Sequence, residues 1–304
     1  MKILFVGHVC VDQNVVRGQT ETLYGGGVVH GAITSQRLGA QAIVITKCAE
    51  ADRGGFKHLS EAGVECVFLP SPTSTSIRNV YPSENPDDRQ SSLISRAAPF
   101  TGADLDCIAG FRADVVHVNP LWFGEFPPAL LPLLRPRATF LAADAQGFLR
   151  VAEPDGQMVH RDFADKHATL PLLDLFKVDS KEAHLLTGEE DPARAAQAVH
   201  ALAPWDTQHS DSAGGGRLYP TGRGPKLVLL THQGGVFVFD GRQTYSAAFG
   251  TYALEGRTGR GDTCTASFLA ARGRGLDLQQ SATFAADITT RKMQYRGAFR
   301  GVTP

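Results

Sequence analysis

The sequence predicts an α/β fold built on a mostly parallel central sheet, and three observations support this. Short β-rich apolar runs alternate with segments of helical periodicity, the mark of successive βαβ units. The chain opens on Met1-Lys2-Ile3-Leu4-Phe5-Val6-Gly7-His8, an apolar run too short for a signal peptide, which reads as a first strand. An apolar content of 42% over 304 residues is enough to fill a large core.

In chain order, the runs predict strands over 3–6, 42–46, 64–69, 115–118, 139–143, 175–178 and 227–231. Helical segments fall near 28–38, 53–61, 128–134, 181–187 and 192–202, and two long helices over 262–272 and 277–295 close the chain. The polar stretch 73–95 alternates about a Pro-Ser-Glu-Asn-Pro-Asp-Asp turn and predicts an exposed hairpin able to close over a ligand. Residues 204–225, with Gly214-Gly215-Gly216, have loop composition. No internal repeat is found, and one domain over 1–304 is expected.

Thirty basic and thirty-one acidic residues leave a net charge of −1, so bulk electrostatics favours neither nucleic acid nor a membrane surface as partner. The five cysteines (Cys10, Cys48, Cys66, Cys107, Cys264) are scattered and odd in number, with no CxxC pair. A disulfide framework and a zinc site are therefore not expected, and a reducing cytoplasm is. No stretch approaches the length of a membrane span.

The richest segment is Thr258-Gly259-Arg260-Gly261-Asp262-Thr263-Cys264, which runs into the first of the two closing helices. A glycine-flanked turn at a helix N-terminus points several backbone N–H groups at one spot, and the helix dipole makes that spot favour anions. Asp262 would repel a phosphate it had to anchor, but beside one it is a suitable general base for a hydroxyl attacking phosphorus. Taken alone, such a segment is more often a capped turn, with Asp262 as N-cap, than an active site. Arg260-Gly261-Asp262 also spells an adhesion tripeptide, a coincidence in a chain without a secretion signal.

Together with four other landmarks, this segment resembles the ribokinase-like (PfkB) family of carbohydrate and nucleoside kinases over nearly the whole length. Gly256-Arg257-Thr258-Gly259-Arg260-Gly261-Asp262 is similar to the family signature Asp-Thr-x-Gly-Ala-Gly-Asp. The resemblance implies that Asp262 is the catalytic base and that Gly259, Arg260 and Gly261 form the anion hole. Gly256 stands where the family's leading Asp helps form a monovalent-cation site, so potassium is not carried over. Tyr24-Gly25-Gly26-Gly27-Val28-Val29-His30 is similar to the family's Gly-Gly-x-x-x-Asn segment facing the sugar, with His30 in place of Asn. Asp12 resembles the strand-end Asp that binds sugar hydroxyls. With Gly26, Gly27, His30 and Asn119, which follows the 115–118 strand, it forms the expected substrate set.

Asp179 and Glu182 resemble the family's Asn-x-x-Glu motif, which implies water-mediated Mg²⁺ binding. Alone, the pair reads as a solvated helix start. Thr231, Gly234 and Gly235 resemble the nucleotide-side strand-turn-strand, about one residue short, and Asp144 to Arg150 is a weaker match to a contact region. The implied fold is a three-layer α/β/α ribokinase-like domain with a small β lid from about 11–24 and 73–97. The implied reaction is ATP-dependent phosphorylation of a sugar, polyol or nucleoside hydroxyl, with ATP and Mg²⁺ as cofactors and a homodimer through the lid possible. Two rivals stay open at this point: an inactive relative that binds a small ligand, and a nicotinamide-dependent oxidoreductase using the N-terminal glycines.

Overall fold

The computed structural model describes residues 1–16, 18–81, 90–108, 110–203, 225–251, 256 and 258–301. The strands before residue 100 are β1 (Lys2–Val6), β2 (Cys10–Val16), β3 (Gln19–Gly25), β4 (Gln41–Cys48), β5 (Glu65–Pro70), β6 (Thr75–Tyr81) and β7 (Gln90–Ser95). Those after it are β8 (Ala113–Val118), β9 (Ala138–Asp144), β10 (Arg150–Ala152), β11 (Met158–His160), β12 (Leu175–Asp179), β13 (Leu227–His232), β14 (Gly235–Phe239) and β15 (Thr244–Ala248). The first helix is α1 (Gly27–Arg37). Short helices follow as α2 (Lys57–Glu61), α3 (Gly102–Asp106), α4 (Leu131–Leu134), α5 (Gln146–Leu149) and α6 (Lys166–Thr169). Then come α7 (Ser180–Thr187), α8 (Pro192–Ala201), α9 (Arg260–Gly273) and α10 (Leu278–Lys292).

Nine strands form the main sheet in the order β15-β14-β13-β12-β9-β8-β1-β4-β5, parallel except for the β13-β14 and β14-β15 pairs. All seven expected strands lie in this sheet. The strand-turn-strand expected at Thr231 to Gly235 is the antiparallel β13-β14 pair, and β15 adds an edge strand beyond it. Alternation along the strands sends residues to two cores. Leu4 and Val6 of β1 join Val116, Val118, Leu141 and Phe176 on one face, whereas Ile3 and Phe5 join Val115, Phe140, Ala142 and Leu175 on the other. Burying a side chain such as Phe5, which is fully enclosed, stabilises the fold by roughly 2–3 kcal/mol.

The second face is covered by α1, α9 and α10, so the molecule is a three-layer α/β/α sandwich with a mostly parallel sheet, as expected. Helix α1 comes close because Gly31 has no side chain: a Cβ there would lie 2.7 Å from the Phe5 ring. From β1 the chain turns to one side of the sheet through β4 and β5, then crosses to the other through β8 and β9. Such a switch leaves a crevice beyond the carboxyl ends of the strands, here between β1 and β8.

Two expected helices are interrupted. Over 53–61 the chain makes a 3₁₀ segment, Glu50–Phe56, before α2. Gly54-Gly55 weakens an α-helix there, and Gly55 lies so close to Tyr24 that a Cβ would be 2.1 Å from its ring. Over 128–134, Pro128 and Pro132 limit the chain to a 3₁₀ turn and the single turn α4.

A second sheet, ordered β3-β2-β6-β7, stands over the crevice side of the chain on a small cluster of Cys10, Ile77, Leu93, Leu121, Trp122 and Met158. It contains the lid segments expected over 11–24 and 73–97, although the hairpin turn at 82–89 lies outside the described residues, as does nearly all of the 204–225 loop. All five cysteines are free thiols. Among the described residues no helix is long and apolar enough to cross a membrane.

Candidate active site

The turn before α9 is an open N-terminus. Gly259 is the N-cap, with φ +76°, and has no side chain to cap the helix. Asp262 lies in the first turn, so the N-cap alternative for it does not hold. The leading N–H groups of a helix have no acceptor within it, and α9 leaves them toward the crevice. Gly259 must remain glycine for a second reason: a Cβ there would lie 2.3 Å from Cγ of His30. Residues 263–271 of α9 are buried throughout, which locks the helix and hence the turn.

Asn119 follows β8 beside the end of β1, its N–H donating to the Val6 carbonyl at 2.8 Å. Its Nδ2 donates to Oδ1 of Asp262 at 2.9 Å, fixing the carboxylate. Gly27 makes room for that side chain: a Cβ would lie 2.3 Å from Oδ1 of Asn119. Gly26, with φ +110°, is the N-cap of α1 and passes close over the His8 carbonyl. Asp12 on β2 and His30 on α1 meet at Gly25, where a Cβ would be 3.4 Å from Asp12 Oδ2 and 3.8 Å from His30 Nε2. Burial lowers the pKa of His30 to about 4, against the pull of Asp262, so the imidazole is neutral near pH 7. Its Nδ1 is buried with no partner. All five expected substrate residues thus line one end of the crevice next to Asp262.

The other end holds a buried lysine among carboxylates. Lys177, near the end of β12, pairs with Asp144, at the end of β9, at 3.1 Å, both nearly inaccessible. Burial opposes the lysine's charge, but Asp144, Glu182, Asp179 and Asp262 together hold its pKa above the ordinary range. Gly261 brings the anion turn to it: a Cβ would lie 3.1 Å from Lys177 Nζ. Asp179 and Glu182 close a capping box at the start of α7. Asp179 Oδ1 accepts from the Glu182 N–H at 2.8 Å, and Glu182 Oε2 accepts from the Asp179 N–H at 2.7 Å. Glu182 is buried, which raises its pKa well above the usual carboxylate range, whereas Asp179 is half-exposed. Among the described residues no three acidic, His or Cys side chains form a ready metal cluster.

Thr231, Gly234 and Gly235 lie at the β13-β14 turn, where the Gly234 N–H donates to His232 Nδ1 at 3.2 Å. Gly235 serves the sheet, since a Cβ would be 2.3 Å from the Ala247 carbonyl oxygen. Burial, and then the charge of Arg260, lower the His232 pKa. Nη1 of Arg260 is buried without a partner.

Sequence reasoning gave no role to several groups here. Lys177 and Lys292 are the clearest, and only Lys177 had a signal, a lone cation within an otherwise apolar strand. Lys292 closes α10, is fully buried, and donates from Nζ to the carbonyls of Gly256 and Thr258. Burial lowers its pKa to about 8, with Asp262 opposing the shift. His117 on β8 has two buried, unpartnered ring nitrogens and a pKa lowered to about 4 by burial. His8 donates its backbone N–H to Glu125 at 2.6 Å and contacts Thr75 Oγ1 at 2.9 Å through Nδ1, tying β1 to the small sheet. Burial lowers the pKa of His8 to about 3 and raises that of Glu125 to about 8.

No protein-family model matches the chain, and no curated protein matches it. Solved structures do. One, described as a pyrophosphate-dependent kinase in the ribokinase family with a pyrophosphate analog and myo-inositol, is 46% identical, with 98% of this chain and 97% of that one covered and a TM-score of 0.85. A sulfate complex of a pyrophosphate-dependent kinase in the same family is 47% identical over 98% and 97%, with a TM-score of 0.86. A third, 45% identical over 98% and 95% with a TM-score of 0.84, is described as the conversion of a pyrophosphate-dependent myo-inositol-1 kinase into a myo-inositol-3 kinase by replacing an asparagine and a serine with leucine.

Proposed function

The chain belongs to the ribokinase family of kinases, and from that membership we propose that it transfers a phosphoryl group from pyrophosphate to a hydroxyl of myo-inositol or a close polyol. The observation that carries the reading is the Asp262 carboxylate, oriented by Asn119 and set between the hydroxyl-binding groups Asp12 and His30 and the cationic group of Lys177, Arg260 and the α9 N-terminus. The sequence resemblance implied ATP as donor. Pyrophosphate is preferred because the relatives at 45–47% identity are described as using it, and because a donor without a base must be held by charge and backbone N–H groups alone.

In the proposed reaction Asp262 accepts the proton of the acceptor hydroxyl as its oxygen forms a bond to the nearer phosphorus. The bond from that phosphorus to the bridging oxygen breaks, and orthophosphate leaves with the electron pair. The N–H groups of Gly259 to Gly261, with Lys177 and Arg260, stabilise the charge that spreads over the transferring oxygens. Asp12 and the neutral His30 orient the polyol ring, and the small sheet acts as a lid that excludes water, limiting wasteful hydrolysis of the donor.

Half-exposed Asp179 fits a hydrated Mg²⁺, which when bound would neutralise the donor's oxygens. Buried Glu182, whose carboxylate is taken up by the Asp179 N–H, fits a positioning role instead. The test is turnover of purified protein with myo-inositol, other polyols, ribose and adenosine, each with pyrophosphate or ATP. Pyrophosphate with myo-inositol is expected to give the highest kcat/KM. A preference for ATP would overturn the donor assignment, and binding without turnover across the panel would favour a ligand-binding relative.

A further inference from the structure

The end of α10 reaches under the phosphoryl-transfer turn. Gly256 lies against it so closely that a Cβ would be 2.2 Å from the Met293 carbonyl oxygen. Lys292 then spans the segment from below, its Nζ donating to the carbonyls of Gly256 and Thr258 on either side of residue 257. An ammonium enclosed in protein is costly unless oxygen atoms replace its water. Here the replacement comes from backbone carbonyls rather than from a paired carboxylate, the type of ligand that a bare monovalent cation would also take.

Those carbonyls belong to the residues just before the Gly259 N-cap. Drawing them toward Lys292 turns their peptide planes and sets the path into α9, where the next N–H groups face the crevice. On the opposite side His30 packs against Gly259, so the turn is clamped between α1 and α10. With its pKa lowered only to about 8, Lys292 keeps its charge near neutral pH.

We propose that the Lys292 ammonium is a built-in cation that holds the phosphoryl-transfer turn in its anion-binding conformation, so that the reaction needs no added monovalent cation. Lys292 is a positioning residue, acting through the turn. The kinetic arm of the test rests on the kinase reading above. A second arm, amide hydrogen exchange of the peptide carrying residues 258–262, does not.

Wild-type protein is expected to keep its rate within about twofold when potassium chloride replaces N-methylglucamine chloride at fixed ionic strength. In Lys292→Ala, kcat should fall roughly 10²-fold, the scale of losing an oxyanion-hole donor, with the polyol KM changed less than about threefold. Exchange over 258–262 should quicken. Ammonium or potassium should restore at least tenfold of the lost rate and slow the exchange in Lys292→Ala, but not in Lys292→Met, whose longer side chain fills the space. Strong potassium activation of the wild type would overturn the proposal. So would unchanged exchange at the turn in folded Lys292→Ala, or a loss that neither cation reverses. If the wild type turns over no substrate, the kinase reading has failed and the exchange arm alone decides this one.

Discussion

The two ends of the crevice are made of different material. At the proposed phosphoryl end, the groups assigned to the donor sit on α9, which is buried along residues 263–271, and on β9 and β12 in the middle of the main sheet. The acceptor end leans on the four-stranded sheet, whose apolar support is six buried residues and whose β3 strand is largely exposed. Its surface carries a polar chain: Asn79 Nδ2 donates to Asn14 Oδ1 at 3.1 Å, and Ser91 Oγ donates to Asn79 Oδ1 at 2.8 Å. A change at the first end disturbs the core or the chemistry. A change at the second should redirect which hydroxyl is presented while leaving the chemistry intact.

The largest effect that would sharpen this contrast is Asp262→Asn. The amide keeps the size of the carboxylate but cannot take a proton, so turnover should fall by roughly 10² or more while the polyol KM changes little. Steady-state kinetics with a folded variant checks it, and near-normal turnover would remove Asp262 as the base.

Next comes Lys177→Met. Losing one partner of the buried Lys177–Asp144 pair leaves a carboxylate enclosed and unpaired, which should cost about 3–5 kcal/mol of stability in urea titrations and raise the pyrophosphate KM at least tenfold. Adding Asp144→Asn should recover most of the stability but not the donor affinity. If the double variant also regains donor affinity, Lys177 supports the fold and does not contact the donor.

The same contrast explains what the sequence disclosed. The central strands were legible because strands buried on both faces read as continuous apolar runs, and the acceptor glycines and Asp262 were legible because chain order brings them to strand ends and helix starts. Strand β15 was not, since a half-exposed edge strand such as Thr244–Ala248 carries no strong apolar run. The Asp179/Glu182 pair, which alone reads as a helix start, does open α7 as a capping box, a geometry that leaves open the Mg²⁺ role implied by the family resemblance. Lys292 was hidden for another reason: its partners are backbone carbonyls 34 and 36 residues away, and carbonyls have no sequence signature.

At the acceptor end, the paired replacement Asn79→Leu with Ser91→Leu removes the hydrogen-bonded chain on β6 and β7. Described for a relative, replacement of an asparagine and a serine by leucine changes which inositol hydroxyl is phosphorylated. Here the expected outcome is a change in product regiochemistry, read by NMR or chiral chromatography of the inositol phosphate, with kcat kept within about tenfold. An unchanged product with reduced turnover would mean that the lid supports the site without selecting the hydroxyl.

The smallest effect concerns pH and the core beneath both ends. His8, His30 and His117 are buried, with pKa values lowered to about 3, 4 and 4 from an ordinary 6.5. A depressed folded-state pKa means that the unfolded chain takes up protons first, so this contribution to stability is complete above pH 6.5 and is lost as pH falls toward 4. Raised groups such as Glu125, at about 8, act in the opposite sense, since the folded state holds their proton after the unfolded state has released it. Glu182 and Asp144, also raised by burial, act with Glu125, so the histidine contribution is read from a single variant and not from the net midpoint. His117 isolates one such contribution, because both of its ring nitrogens lack partners and its removal breaks no hydrogen bond. In His117→Leu the slope of stability against pH over that window should decrease by up to one proton, about 1.4 kcal/mol per pH unit. An unchanged slope would mean that the imidazole is already protonated in the folded protein, and with it that the floor beneath Asp262 is charged rather than neutral.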